Sequence, residues 1–231
     1  MSSATITTSA RLMNSTPQTE EQAMVRKVAV SSFLGNFIEW FDYASYSYFA
    51  TTIALVFFPT DNHTVAMLQT FGVFALSFIL RPIGALFWGS YGDKKGRKAA
   101  LAHSIMFMSG ASFLIGCLPS YSVIGVGAPI LLLLLRMVQG FSASGEYAGA
   151  ATFLGEYAPT SKRGIYCSLI PASTAIGLLA GSTLATLMTA NMNSSAMVGW
   201  GWRVPFLLAG PLGLIVLYIR TKLSDSPCTS Q

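Results

Sequence analysis

The sequence predicts an all-α membrane protein with six transmembrane helices and both termini in the cytosol. Hydrophobic residues make up 52% of the 231 positions and only 10% are charged, and the mean hydropathy is +0.55. A soluble domain of this size is far less apolar. Six separate stretches reach the roughly 20 apolar residues that a helix needs to cross a hydrocarbon core about 30 Å thick.

The six predicted spans follow one another along the chain with short polar connections. The first and the fourth exceed the minimum length, so we expect them to tilt or to extend into the cytosol. The approximate bounds are 28–58, 66–88, 99–118, 124–153, 165–189 and 200–219.

The basic residues orient these spans. Apart from Arg81, Arg136 and Arg203, which lie in spans or at their ends, the 14 Lys and Arg residues fall on one side of the alternation. Because loops rich in Lys and Arg stay in the cytosol, both termini are expected there. The first 27 residues are rich in Ser and Thr and lack a secretory signal. We therefore expect a disordered cytosolic tail at 1–27, a six-helix bundle at 28–220 and a short cytosolic tail at 221–231.

Several function classes are disfavoured by the composition and motifs. Bases in short clusters between apolar stretches do not form the continuous basic face of a nucleic-acid-binding protein. The three Cys are far apart and only two His are present, which favours neither a disulfide framework nor a metal site. The sequence has no phosphate-binding loop, H-E-x-x-H or G-x-S-x-G motif. We therefore expect neither an enzyme nor an ATP-driven pump, and no cofactor.

One charged segment stands between the second and third predicted spans. It reads GSYGDKKGRK at 89–98 and has the form G-x-x-x-D-x-x-G-R-K. Gly96 permits a tight reversal between helices, and Arg97 and Lys98 would hold the turn at an anionic membrane surface. An ordinary cytosolic loop explains the charges alone. The full pattern resembles the signature loop of the major facilitator superfamily.

Further segments extend this resemblance in the same order along the chain. They are similar to the metabolite:H+ symporter branch, whose members move proline and betaine, 2-oxoglutarate, citrate or shikimate. The resemblance covers about residues 27–227 and implies the N-terminal half of a twelve-helix fold, with the substrate held between two halves. The segments are GNFIEWFDYASY (35–46), RPIGALFWGSYGD (81–93), RMVQGFSASGEYAGA (136–150), EYAPTSKRG (156–164) and WGWRVPF (200–206).

A polar stripe runs along the first predicted span. Its members are Asn36, Glu39, Asp42, Tyr43 and Tyr46, which share one helix face through steps of three and four. Each ionisable group at membrane depth costs about 2.5–3.5 kcal/mol on insertion scales, so Glu39 and Asp42 need partners or an aqueous cavity. A purely structural, paired role is the alternative to proton transfer.

The fourth predicted span supplies Arg136, Gln139 and Glu146, surrounded by small residues that allow close helix approach. The resemblance implies that the first and fourth helices border the central cavity. We predict that Arg136 pairs with Asp42 or Glu39 and that one of these carboxylates takes a proton. Arg136 would otherwise bind a substrate carboxylate directly, because a guanidinium forms bidentate hydrogen bonds with that group.

Two further features concern helix geometry. Arg81 precedes Pro82 in the second span, where proline removes a backbone donor; we expect a kink, with a gating role for Arg81 as the alternative. In the fifth span, Gly177 and Gly181 form a G-x-x-x-G pair, which predicts close helix packing.

The resemblance also implies a conformational switch on the cytosolic side. A charge network there would change between the inward-open and outward-open states, although exposed ion pairs taken alone contribute little free energy. The residues concerned are Gly89, Asp93, Gly96, Arg97, Lys98, Glu156 and Arg163.

The sequence therefore predicts a proton symporter of the cytoplasmic membrane, or its N-terminal half. Its expected partners are protons, the bilayer, a small-molecule substrate, and a second half-transporter or a second copy of this chain. Proline or betaine is the first expected substrate, and a small carboxylate such as 2-oxoglutarate, citrate or shikimate is the alternative. A membrane protein that acts only by association is the third possibility.

Overall fold

The computed structural model describes residues 16–222. These residues form helices joined by short connections, with no β-strand in this part of the chain. The helices are α1 Thr16–Tyr48, α2 Ala50–Phe57, α3 His63–Ile79, α4 Arg81–Lys95, α5 Arg97–Cys117, α6 Tyr121–Ile124, α7 Gly127–Tyr157, α8 Arg163–Cys167, α9 Leu169–Asn191, α10 Ser194–Gly199 and α11 Val204–Thr221.

The first helix begins at Thr16, well before the predicted start at Val28. Residues 16–27 are therefore helical, where the sequence predicts a disordered tail; residues 1–15 lie outside the described part of the chain. The segment contains Gln, Glu, Ala, Met, Arg and Lys, which favour helix, and Pro17 suits the first turn. Because this segment continues directly into a stable helix, it needs no new nucleation.

The second predicted span is interrupted at Leu80. Helix α3 ends at Ile79 and α4 begins at Arg81, with Pro82 in the first turn of α4. The Pro82 nitrogen has no hydrogen to donate, so the i to i−4 ladder cannot continue through it. A helix break thus lies where the sequence predicts a kink, and it places Arg81 at the start of α4.

Five helical stretches are long and apolar enough to cross a membrane, judged by length and composition over the described residues. They are His63–Lys95, Arg97–Cys117, Gly127–Tyr157, Thr160–Asn191 and Gly201–Thr221. The first of the six predicted spans, in α1 and α2, is not among them. Its polar stripe lowers its mean hydropathy, and the helix is broken between Tyr48 and Ala50.

Helix α7 lies at the centre of the bundle. It packs against α1, α3, α4 and α5, while α9 packs on α1 and α11 packs on α5. Glycines allow the closest approaches: a Cβ atom added to Gly177 would lie 2.7 Å from the Phe37 carbonyl oxygen and 3.1 Å from the Trp40 Cβ. The packing predicted for the G-x-x-x-G pair is thus confirmed.

The outer surface of the bundle is apolar. Large side chains there include Leu68, Ile79, Leu86, Leu179 and Leu214, all of them exposed in the isolated chain. The charged residues of the stripe are instead buried inside the bundle. This distribution suits a protein surrounded by lipid, in which polar groups face other helices.

Candidate functional site

All eight residues predicted for the substrate and proton pathway are buried within the bundle. The structure does not bring them into one cluster. They divide among four groups of contacts: one around Asp42 and Arg136, one around Glu39 and Tyr43, one around Glu146, and one around Asn36.

Asp42 on α1 pairs with Arg136 on α7. The Arg136 Nη1 atom donates to Asp42 Oδ2 at 2.8 Å, and Gln139 Nε2 donates to the same oxygen at 3.1 Å. Of the two carboxylates predicted as partners for Arg136, the structure pairs Asp42. Gln139 also donates to the Ser112 hydroxyl on α5, so three helices meet at this ion pair.

Aromatic rings enclose the Arg136 guanidinium. Its central carbon lies 3.7 Å from the centroid of the Tyr46 ring and 5.6 Å from that of Phe206. Tyr46 is held in place because its hydroxyl donates to the Thr70 carbonyl at 2.9 Å. A cation over an aromatic face is stabilised by the ring quadrupole, most strongly when desolvated. The Arg136 charge is therefore stabilised by both the Tyr46 ring and the Asp42 carboxylate.

Polar atoms remain unpaired at the same place. Among the described residues, Asp42 Oδ1, Gln139 Oε1 and the Nε and Nη2 atoms of Arg136 are buried without a hydrogen-bond partner. A buried polar group without a partner is costly. The hydrogen-bonding capacity of this buried ion pair is therefore only partly used by the protein groups around it.

Glu39 on α1 has a different cationic partner, Arg81 at the start of α4. The Arg81 Nη2 atom donates to Glu39 Oε1 and, at 2.6 Å, to the Tyr43 hydroxyl. The guanidinium carbon lies 4.7 Å from the centroid of the Phe78 ring and 5.0 Å from that of Tyr43. This pairing of Arg81 with Glu39 is not among the sequence-based predictions. The sequence feature that could have suggested this pairing is that Arg81 is the one base inside the second predicted span.

Glu146 lies in a separate cluster with Arg220 from α11. Arg220 Nη1 donates to Glu146 Oε2 at 2.9 Å, and the Ser104 hydroxyl donates to the same oxygen at 3.0 Å. Arg220 is predicted from the sequence to lie among the cytosolic bases, but its side chain is almost fully buried. Gly35 on α1 leaves the space for this pair, since an added Cβ would overlap both side chains.

Asn36 joins α1 to α9. Its Nδ2 atom lies 3.0 Å from the Ile170 carbonyl oxygen, 2.8 Å from the Ser173 hydroxyl and 2.9 Å from the Thr174 hydroxyl. All three contacts are with α9, which indicates a packing role for Asn36.

Most residues of the predicted switch lie at or near the junction of α4 and α5. Gly96 adopts a φ of 94°, a conformation that favours glycine and gives the predicted reversal. Arg97 Nη2 lies 3.2 Å from Asp93 Oδ1, and Arg97 Nε lies 4.0 Å from Glu156 Oε1 at the end of α7. Gly89 in α4 and Lys98 in the first turn of α5 are close to this junction in sequence. Arg163 is remote in sequence, exposed, and lies at the start of α8.

Comparison with known proteins decides the family. Residues 27–228 match the family described as "Sugar (and other) transporter". This chain belongs to that family. The predicted resemblance to the major facilitator superfamily is confirmed, and the members of the family are transporters rather than enzymes.

Relatives at the sequence level include bacterial proteins named as transporters. The chain is 43% identical over 211 residues to a glycine betaine/proline/ectoine/pipecolic acid transporter, OusA, of Dickeya dadantii. It is 42% identical over 211 residues to a proline/betaine transporter of Salmonella typhimurium. In both comparisons the match covers 91% of this chain and 42% of the relative. The chain therefore spans less than half of the length of these relatives.

Solved transporter structures share the fold. The xylose transporter XylE of Escherichia coli in a partially occluded inward-open conformation superposes with a TM-score of 0.80 at 18% identity, covering 90% of this chain and 50% of XylE. XylE bound to 6-bromo-6-deoxy-D-glucose also gives a TM-score of 0.80, at 16% identity. This chain is accordingly a multi-pass membrane protein with the architecture of about half of such a transporter.

Proposed function

We propose that this chain forms one six-helix half of a proton-driven symporter for small zwitterionic solutes, such as proline or glycine betaine, in the cytoplasmic membrane. The names of the bacterial relatives at about 42% identity support the solute class. These relatives are more than twice as long as this chain. The second half of the symporter therefore comes from another polypeptide segment or from a second copy of this chain.

An even number of spans with both ends in the cytosol is part of this proposal. Bases occur near the start of the bundle at Arg26 and Lys27 and near its end at Lys222. Because basic residues flank the cytosolic ends of spans, the start of the first helix and the end of the last helix are both placed in the cytosol. With the five apolar spans, α1 and α2 then supply the sixth. Reporter fusions before Thr16 and after Lys222 test this: activity of a periplasmic reporter at either end contradicts it.

The observation that carries proton coupling is the buried ion pair of Asp42 and Arg136, at 2.8 Å, in which the Arg136 side chain is fully buried and that of Asp42 is 6% exposed. When Asp42 is ionised, it neutralises Arg136. When a proton binds to Asp42, the Arg136 charge loses its anionic partner and is stabilised mainly by the Tyr46 ring. Because an uncompensated buried charge is strongly destabilising, protonation favours a conformation in which Arg136 reaches water or another anion. Proton binding and conformational change are thereby linked.

Uptake measurements test this function. Cells lacking their own carriers would express this chain alone, or together with the remaining half of the Dickeya dadantii relative, and receive radiolabelled proline, glycine betaine or 2-oxoglutarate. We expect proline and betaine uptake by the two-part assembly, abolished by a proton uncoupler. The same uptake by this chain alone would identify a second copy as the missing half.

Other outcomes point away from the proposal. Uptake restricted to 2-oxoglutarate would identify a carrier for small carboxylates. No uptake of any solute by a membrane-inserted chain in either arrangement would contradict transport and favour a protein that acts only by association.

A further inference from the structure

A pocket of about 530 Å³ opens beside the Glu39 and Arg81 pair. It lies between α1, the junction of α3 and α4, and α7, and its volume is within the range of small-molecule sites. The side chains important here are Glu39, Trp40, Phe78, Arg81 and Tyr147.

Arg81 lines this pocket. Its Nη2 atom is occupied by Glu39 and Tyr43, yet 25% of the Arg81 side chain is exposed, whereas 1% of the Glu39 side chain is. The break at Leu80 brings the residue to this position, at the first residue of α4. Arg136, by contrast, is fully buried. Of these two arginines, Arg81 is the one that a solute carboxylate can reach without rearrangement of the bundle.

The remainder of the pocket suits a positive group. Phe78 and Tyr147 are both exposed large aromatic residues, Trp40 is partly exposed, and the three line the cavity. Aromatic faces bind quaternary ammonium groups well. Glu39 adds a negative charge, and its Oε2 atom is buried without a hydrogen-bond partner among the described residues.

The charges that line this pocket are one base and one acid. A solute with one carboxylate and one ammonium matches both, whereas a dicarboxylate leaves one of its charges without a cationic partner. Desolvating an unmatched charge is costly. The lining therefore selects for net-neutral solutes.

We propose that this pocket is the zwitterion site of the transporter, in which Arg81 binds the solute carboxylate and the rings of Trp40 and Tyr147 contact its ammonium group. This assignment rests on the proposed function and specifies the residues and the orientation of the solute. Glu39 acts as the resting counter-ion of Arg81, and its hold on Arg81 weakens when the solute carboxylate binds.

Binding to the purified 231-residue chain in lipid nanodiscs tests the proposal by calorimetry, with glycine betaine, choline and succinate as probes. We expect betaine to bind at millimolar concentration, and neither choline nor succinate to compete. Arg81→Gln should weaken betaine binding roughly tenfold or more, since a charged hydrogen bond is lost. Arg81→Lys should recover part of it, because lysine retains the charge without the bidentate geometry. The control Arg26→Gln removes an exposed arginine of α1 and should leave binding unchanged.

A second variant separates a binding role from a structural one. Glu39→Gln releases Arg81 from its resting counter-ion, so we expect acetate to bind more tightly than it binds to the unsubstituted chain. If the pair of Glu39 and Arg81 were merely structural, Glu39→Gln would lower the thermal stability of the chain without tightening acetate binding. Substitution of Trp40 by Phe should retain more betaine binding than substitution by Leu.

Results that overturn the assignment are distinct from failure of the transport proposal. Three results would each overturn the site. They are an unchanged betaine affinity in Arg81→Gln, binding of succinate to the pocket as strong as that of betaine, and no betaine binding to the unsubstituted chain. If uncoupler-sensitive uptake persists in the two-part assembly carrying Arg81→Gln, the site is wrong and the proposed function stands. If betaine binds to the unsubstituted chain but no assembly transports it, the site stands and the proposed function is wrong.

Discussion

Arg220 and Glu146 form a buried ion pair that joins the last helix of the bundle to the central helix α7. Arg220 also donates to the Ser31 hydroxyl on α1 at 3.2 Å and to the Leu101 carbonyl on α5. Both charged side chains are about 1% exposed. Four helices thus share one desolvated charge pair, which lies outside both the Asp42 cluster and the pocket at Arg81. We interpret it as the element that holds these helices together as one body.

Removing one partner of this pair should be strongly destabilising. Arg220→Met leaves the Glu146 carboxylate buried without its cation, a change that costs about 3–5 kcal/mol in buried pairs. The double variant Arg220→Met with Glu146→Gln removes both charges and should recover much of the stability. The measurement is the thermal unfolding temperature of the purified chain in detergent.

Lys222→Met is the control for this experiment, because Lys222 is an exposed base two residues further along the chain. We expect it to leave the unfolding temperature unchanged. An equal decrease in Arg220→Met and Lys222→Met would contradict the role assigned to the pair.

Close packing between α7 and α3 gives a second prediction. A Cβ atom added at Gly140 would overlap the backbone carbonyl of Ser77, and backbone cannot move aside as a flexible side chain can. Gly140→Ala should therefore lower the stability by about 1–3 kcal/mol, as overpacking does elsewhere. Thermal unfolding of the purified chain measures the effect.

Gly110→Ala provides the matched substitution. Nothing lies within 4 Å of a Cβ added there, and the helical position gains about 0.5–1 kcal/mol when alanine replaces glycine. The two variants should thus shift the unfolding temperature in opposite directions. A stabilising effect of Gly140→Ala would contradict the close approach.

The helices were predictable from local properties of the sequence, and the side-chain partners only in part. Apolar length predicted five of the six spans. Pro82 predicted the helix break and Gly96 predicted the reversal, because each of these two residues acts within one turn of its own position. The Asp42 and Arg136 pairing was also accessible, since few opposite charges lie in the first and fourth spans.

Two ion pairs could not be assigned, for a physical reason. Periodicity fixes which residues share a face of their own helix, but not how that helix is rotated against its neighbours. Arg81 and Glu39 are 42 residues apart, and Arg220 and Glu146 are 74 apart. Arg220 is close to the end of its span, where a base usually extends to the membrane surface. Its burial results from the contacts of α1, α5 and α7 around it.

The exposed pair at the predicted switch should respond differently from the buried ones. Asp93 is 67% exposed and lies 3.2 Å from Arg97, so Asp93→Asn should change stability by about 1 kcal/mol or less. If the proposed switch exists, uptake by the two-part assembly should nevertheless decrease. Unfolding temperature and initial uptake rate are measured together, with Asp61→Asn, an exposed aspartate in the connection before α3, as the control. A loss of stability that accounts for the loss of uptake would argue against a switch.

The ion pair of Asp42 and Arg136 gives the sharpest test of proton coupling. Asp42→Asn has nearly the same shape and still accepts a hydrogen bond from Arg136, but it cannot lose or gain a proton. In proteoliposomes containing the two-part assembly, we expect accumulation driven by a proton gradient to be lost. Exchange of labelled for unlabelled solute should continue, because it requires conformational change without net proton movement. Asp61→Asn should retain both activities. Gradient-driven accumulation that survives Asp42→Asn would move the proton site to another carboxylate, and Glu39→Gln in the same assay would then distinguish the stripe of α1 from the rest of the bundle.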